Sequence, residues 1–189
     1  MRRRSWAALV AAGIALTGCT ADADEPVDPT PSEASAADLA PCPEQPDEAA
    51  AGDAPDLVLE CLGGGSLDLA RAPGTPTVLN LWASWCAPCR EELPLVQQLS
   101  EQAGDELQVI GVDSQDGVPQ GTSFIEDAGL TFPSAFDGDG ELGGALGLRG
   151  LPHTVFVAAD GSVAHVEVGQ IDTYDELSGL VAEHLGVQL

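Results

Sequence analysis

Two cysteines two residues apart, Cys86 and Cys89, are the side chains in this sequence best placed to do chemistry. They stand in the stretch TVLNLWASWCAPCREELP, Thr77 to Pro94, where a buried-strand pattern passes through a short loop into a run able to form a helix. Cys-x-x-Cys beside a β-α pattern is a redox signature. At a helix N-terminus, unpaired backbone N–H groups and the positive end of the dipole stabilise a thiolate, the form that attacks disulfides. Cys86 is therefore the expected nucleophile. Cys89, one turn into the helix, is the thiol that would resolve a mixed disulfide. Pro88 falls in the first turn, which can spare an N–H. A zinc site would need two more ligands with paired spacing, whereas His153, His165 and His184 stand alone.

The run from Asn80 to Pro94, with its W-C-x-P-C-R-x-E-x-P arrangement, resembles the active-site stretch of thioredoxin-fold proteins. It is similar to the TlpA/ResA-like branch of membrane-tethered extracytoplasmic thiol-disulfide oxidoreductases. The resemblance implies an α/β thioredoxin fold, a central mixed β-sheet flanked by helices, with an N-terminal β-hairpin extension. It implies that Trp85 packs beside the thiols and that Leu151-Pro152 forms a cis-proline loop facing the CxxC pair. Pro152 then belongs to the catalytic group, and the backbone at Leu151 pairs with the substrate chain in a short β-augmentation; Trp85 is expected to touch substrate as well. In this branch a glutamate matching Glu92 lies near the thiols. Glu92 shares a helix face with Cys89, and a buried carboxylate there can take the resolving thiol's proton; a solvated helix acid is the other reading. Asn80 stands where thioredoxins carry a buried acid, so that acceptor is absent and Glu92 has more to do. His153, directly after Pro152, is expected at the surface, with an interaction with the thiolate as the other reading.

The chain has 189 residues, enough for one domain and appendages. Residues 1–18 read as a lipoprotein signal peptide: Arg2 to Arg4 are positive, Trp6 to Leu16 are apolar but too short to span a bilayer, and Leu16-Thr17-Gly18-Cys19 resembles a lipobox. Cys19 would carry the lipid and anchor the chain to the membrane; an ordinary signal peptide or an uncleaved anchor is the alternative. Without the leader, three arginines face 31 acids, a formal charge of −28. Such a polyanion is repelled by nucleic acid and anionic lipid, which excludes both as binding partners. Residues 19–42 are acidic and rich in Pro and Ala, and read as a tether reaching roughly 25 Å. The domain is expected over 43–189.

The compartment permits disulfides. With Cys19 lipidated and Cys86 and Cys89 cycling together, Cys42 and Cys61 remain as a second pair. We expect a structural bond contributing about 3 kcal/mol by closing a loop of about 20 residues; an electron relay to Cys86 is the competing idea.

The elements that must position these groups follow from period and turn chemistry. Leu57 to Leu62 and Leu67 to Leu69 flank Gly63-Gly64-Gly65-Ser66 as a strand pair. Val78 to Trp82 is the first core strand, apolar on both faces. A helix from Ala87 to Ala103 buries Leu93, Val96, Leu99 and Ala103, with a kink at Pro94. A strand over Leu107 to Val112, a helix over Pro119 to Ala128 with Phe124 and Ile125 inward, and a strand over Phe132 to Phe136 follow. Asp137 to Glu141 fails as a calcium loop, lacking Gly and Glu at the required positions, and reads as a turn. A short helix spans Glu141 to Leu148. Thr154 to Ala158 and Val163 to Gly169 flank the turn signal Asp160-Gly161, and an amphipathic helix runs from Tyr174 to Leu185.

These features predict an extracytoplasmic enzyme that exchanges disulfides with protein substrates and needs no cofactor or metal. It is expected to be a monomer, anchored on the outer face of a bacterial membrane. The resemblance suggests a reductase of the cytochrome c maturation kind, fed by a membrane electron donor. An oxidase of exported proteins uses the same motif. A Sco-like copper chaperone also uses this fold, but with CxxxC spacing.

Overall fold

The computed structural model describes residues 39–52 and 54–189. The leader, Cys19 and residues 19–38 of the tether lie outside the described residues.

A sheet covered on both faces needs a central strand that is buried on both sides, and Thr77–Trp82 (β3) is one, with all six residues buried. The five-stranded sheet has the order β5-β4-β3-β6-β7. Gln108–Ser114 (β4) and Ser134–Asp137 (β5) continue it in parallel, while His153–Val157 (β6) and Val163–Val168 (β7) are antiparallel additions. Parallel neighbours need crossovers, supplied by Ala87–Ala103 (α1) and Val118–Ala128 (α2). The antiparallel pair needs only the Asp160-Gly161 turn.

One sheet face carries α1, α2 and Tyr174–Leu185 (α4), which bury Leu93, Val96, Leu99, Ile125, Leu177 and Val181 around Trp82 and Phe156. The other carries Glu141–Ala145 (α3) and the hairpin of Val58–Glu60 (β1) with Ser66–Asp68 (β2), over Leu79, Leu81, Ile110 and Val155. Each such aliphatic side chain contributes about 1.5–3 kcal/mol by leaving water. The thioredoxin-like fold and its hairpin extension are thus as the resemblance implies.

Local departures have local causes. The third helix stops at Ala145 rather than Leu148, because Gly143 and Gly144 weaken it and Gly147 adopts φ +71°. α1 runs through Pro94, which leaves the Arg90 carbonyl without its helical partner. Phe124 is only half-buried, its ring tilted 5.5 Å from Trp82. Leu39 packs on the α1 side of the core, and Cys42 is buried and bonded to Cys61. Cys61 bridges to Ala135 and Leu62 N–H donates to Ser134 O, so the hairpin covers the β5 edge.

Candidate active site

α1 begins immediately after Cys86, whose backbone is extended at φ −85° and ψ 106°. Its sulfur is the cap: Cys89 N–H donates to Cys86 Sγ at 3.3 Å. The two cysteines are joined in a disulfide, so this is the oxidised form. Cys86 is 4% exposed and Cys89 0%. A partner's sulfur can approach only the first, and only the first sits among the unpaired N–H groups of a helix start.

The loop ahead of Cys86 is held from the neighbouring strand. Ser84 N–H donates to Asp116 Oδ2 at 2.6 Å, and Trp85 Nε1–H donates to Gln115 O at 2.9 Å. Gln115, at φ +56°, is the non-glycine residue that turns this segment back. Trp85 keeps its indole N–H satisfied but is 59% exposed. It does not pack into the core beside the sulfurs; it forms surface next to them.

Glu92 lies on the buried face of α1 one turn beyond Cys89 and is 0% exposed. Thr154 Oγ1 donates to its Oε1 at 3.4 Å, and Asn80 Nδ2 donates to Thr154 Oγ1 at 3.1 Å. Glu92 Oε2 and Asn80 Oδ1 have no hydrogen-bond partner among the described residues. Burial pushes the Glu92 carboxyl up to about 7, against the lowering influence of Ile171 N–H, Thr154 and Asn80, and with a further push from the charge of Asp172. The solvated reading of Glu92 therefore fails.

The Leu151–Pro152 peptide is cis. Because β6 runs antiparallel to β3 with His153 opposite Leu81, Pro152 lies at the end of the sheet where β3 gives way to the CxxC loop. Cys86, Cys89, Glu92, Trp85, Leu151 and Pro152 thus share one end of the sheet. Cys42 and Cys61 are elsewhere, under the hairpin.

His153 corrects the sequence expectation. It is 2% exposed, not at the surface, and neither ring nitrogen has a hydrogen-bond partner among the described residues. β6 is flanked by β3 and β7 and covered on both faces, so no residue at its start reaches water. As the partner of Leu81, His153 faces the α3 side, whereas Thr154 faces Glu92 and α1. That is the wrong side of the sheet for a histidine serving the thiols.

The Redoxin family profile matches residues 50–183. The chain belongs to the Redoxin family. It is 32% identical over 119 residues to the thioredoxin-like protein YneN of Bacillus subtilis, covering 61% of this chain and 69% of YneN. The thiol:disulfide interchange protein DsbE of Escherichia coli K12 is 35% identical over 100 residues, 52% of each chain, so the match spans about half of that relative. Among solved structures, a secreted Mycobacterium tuberculosis disulfide oxidoreductase homologous to E. coli DsbE superposes with a TM-score of 0.59 at 28% identity, covering 68% of this chain and 96% of that one. This redoxin is a thiol-disulfide oxidoreductase, and Cys86 and Cys89 are its adjacent CxxC pair.

Sequence reasoning passed over Thr154, Asp113 and Asp116. The redoxin's only local hint of the last two is an aspartate inside an otherwise apolar strand, QVIGVDS, with a second three residues on.

Proposed function

We propose that this redoxin is an extracytoplasmic, lipid-anchored reductase of protein disulfides, of the kind that serves cytochrome c maturation. In its reduced form the Cys86 thiolate attacks a substrate disulfide, forming a mixed disulfide and expelling one substrate sulfur as a thiolate. Glu92 accepts the Cys89 proton, the Cys89 thiolate attacks Cys86 Sγ, and the second substrate thiol leaves. The product is the Cys86–Cys89 disulfide, and a membrane dithiol donor returns two electrons and two protons to it. Trp85 and the backbone before Pro152 hold the substrate chain, and the domain acts as a monomer.

The observation that carries this reading is a buried Glu92 with a pKa of about 7, one turn from a Cys89 that has no contact with water. A resolving thiol so enclosed needs an internal proton acceptor, and a carboxyl near the working pH is suited to that task. The secreted M. tuberculosis relative supports the compartment.

The test is the equilibrium reduction potential of the Cys86/Cys89 pair in the Cys19→Ala protein, measured against a glutathione or dithiothreitol buffer. A value near the thioredoxin figure of about −270 mV supports a reductase. One near about −120 mV, as in strong oxidants, makes it a disulfide-forming oxidase and ends the cytochrome maturation reading.

A further inference from the structure

Asp113, near the end of β4, is 0% exposed, and neither carboxyl oxygen accepts a hydrogen bond from a described residue. In register it lies between Trp82 of β3 and Phe136 of β5. It is also pressed onto α2, where a Cβ at Gly121 would collide with Asp113 Oδ2. Three residues on, half-buried Asp116 accepts Ser84 N–H at Oδ2 (2.6 Å) and Gly117 N–H at Oδ1 (2.8 Å). The two carboxyls act on each other's ionisation, Asp116 on Asp113 by its charge and Asp113 on Asp116 as a hydrogen-bonding group.

Two ionised carboxylates are acceptors only and cannot satisfy each other, but one proton turns one of them into a donor. Burial and then the Asp116 charge push the Asp113 carboxyl up to about 8. Asp116 pays a burial penalty too, yet the hydrogen bonds from Ser84, Gly117 and Asp113 hold it below the usual carboxylate range. At neutral pH the proton therefore sits on Asp113, and Asp116 stays charged.

We infer that Asp113 donates a hydrogen bond to Asp116 and so fixes the acceptor that positions Ser84 and, through it, Cys86, and that deprotonation of Asp113 releases this clasp. Asp113 and Asp116 are positioning residues for the redox site, and the inference rests on the reading of Cys86 as the reacting thiol. Without the proton, two negative charges act on each other in a buried site, which like charges do not tolerate. Asp116 then turns away and gives up the Ser84 amide. Other groups do not offset this. β3 presents Trp82, and β5 presents Phe136, with Asp137 on the opposite face bonded to Ser114. α2 presents Gly121 against Asp113. Arg90 of α1 and Asp127 of α2 line the outer cleft with Ser84 and Phe124, and the charge that acts on Asp113 is that of Asp116.

The experiment is the pH profile, from about pH 6 to 9.5, of the absolute second-order rate constant for reaction of the reduced protein with a small disulfide such as oxidised glutathione, with wild type and variants at equal protein concentration. The wild type should show a falling limb with a midpoint near 8, leaving about a tenth of the maximal rate at pH 9 for a simple titration. Asp113→Asn supplies an amide donor at every pH and should lose that limb, while Asp113→Leu should show a lowered maximum. A limb unchanged in Asp113→Asn, or absent from the wild type, overturns the inference. Infrared titration of the Glu92→Gln protein reads the shared proton without any activity and without the Asp113 variants. A protonated-carboxyl C=O band that persists at pH 7 and disappears near pH 8 supports the pair; its absence above pH 6 overturns it. Should the wild type fail to exchange at all, the redox reading of Cys86 falls, and the infrared band still decides the pair.

Discussion

Thr154 Oγ1 stands 3.4 Å from Glu92 Oε1 and, among the described residues, is the one side-chain hydrogen bond of acceptable geometry that reaches this buried carboxyl. The contact ties the strand after the cis-proline to the active-site helix. A hydroxyl has one proton to give, and at 3.4 Å the bond is long and weak. It offsets little of the cost of burying a carboxylate, which is why Glu92 is protonated up to about pH 7.

Replacing Glu92 with Gln removes the acceptor and keeps the shape. The resolving step, followed by stopped-flow release of substrate thiol from the mixed disulfide, should slow by about 10²-fold at neutral pH, as for loss of a positioned general base. Alkylation of Cys86 in the reduced protein should change far less. Equal losses in both steps would mean that Glu92 holds the structure rather than moves a proton.

Replacing Thr154 with Val deletes the hydroxyl with little change of volume. Glu92 loses an interaction that lowers its pKa, so the rising limb of the resolving step should move to higher pH by roughly 0.5–1 unit. The same change strips Asn80 Nδ2 of its partner and should cost about 1–3 kcal/mol of stability. A limb that stays in place or moves to lower pH would remove Thr154 from the proton path.

Much of this site was legible because its pattern is local. The four apolar residues of β3, Val78, Leu79, Leu81 and Trp82, and the helical spacing of Leu93, Val96 and Leu99 fix both elements within a residue, and Cys86, Cys89 and Pro88 punctuate the junction between them. His153 and Asp113 were not legible. Which face a histidine takes on a strand depends on register with Leu81, and the residue's type does not report that. Aspartate is rare in strands, so β4 reads as ending at Val112, whereas the strand continues to Ser114 because Asp113 and Ser114 pair with Phe136 and Asp137 of β5. Long-range pairing decided both positions.

Stability should fall as pH rises from about 4 to about 8. Glu92 and Asp113 have folded pKa values of about 7 and about 8, raised from ordinary values of 4.5 and 3.8. Between those limits the folded chain binds more protons than the unfolded one. Their contribution is complete below the ordinary value and is lost as pH passes the raised one, at up to about 1.4 kcal/mol per pH unit for each group. Asp116 has the opposite sign, and its contribution fades only in acid. Urea unfolding from pH 4 to 9 should show the decline, reduced in Glu92→Gln over pH 4.5–7 and in Asp113→Asn up to pH 8. A flat or rising profile would contradict both assignments.

The Cys42–Cys61 bond should matter for the fold and not for the chemistry. It spans 19 residues in sequence, and closing a loop of that size restricts the unfolded chain by about 3 kcal/mol. It also fixes the N-terminal segment over the hairpin, where Cys42 N–H donates to Gly64 O and the Leu39–Ala40 backbone packs on Gly63. Neither cysteine lies at a helix start, and the pair is held under the hairpin, on the face of the sheet opposite α1. The double variant Cys42→Ser, Cys61→Ser should lower the free energy of unfolding in urea by about that 3 kcal/mol, with the rate of Cys86 exchange within about twofold of wild type. An electron relay predicts the reverse: exchange at Cys86 would fall sharply in the double variant, and stability would change little. Measuring both on one preparation separates the two roles.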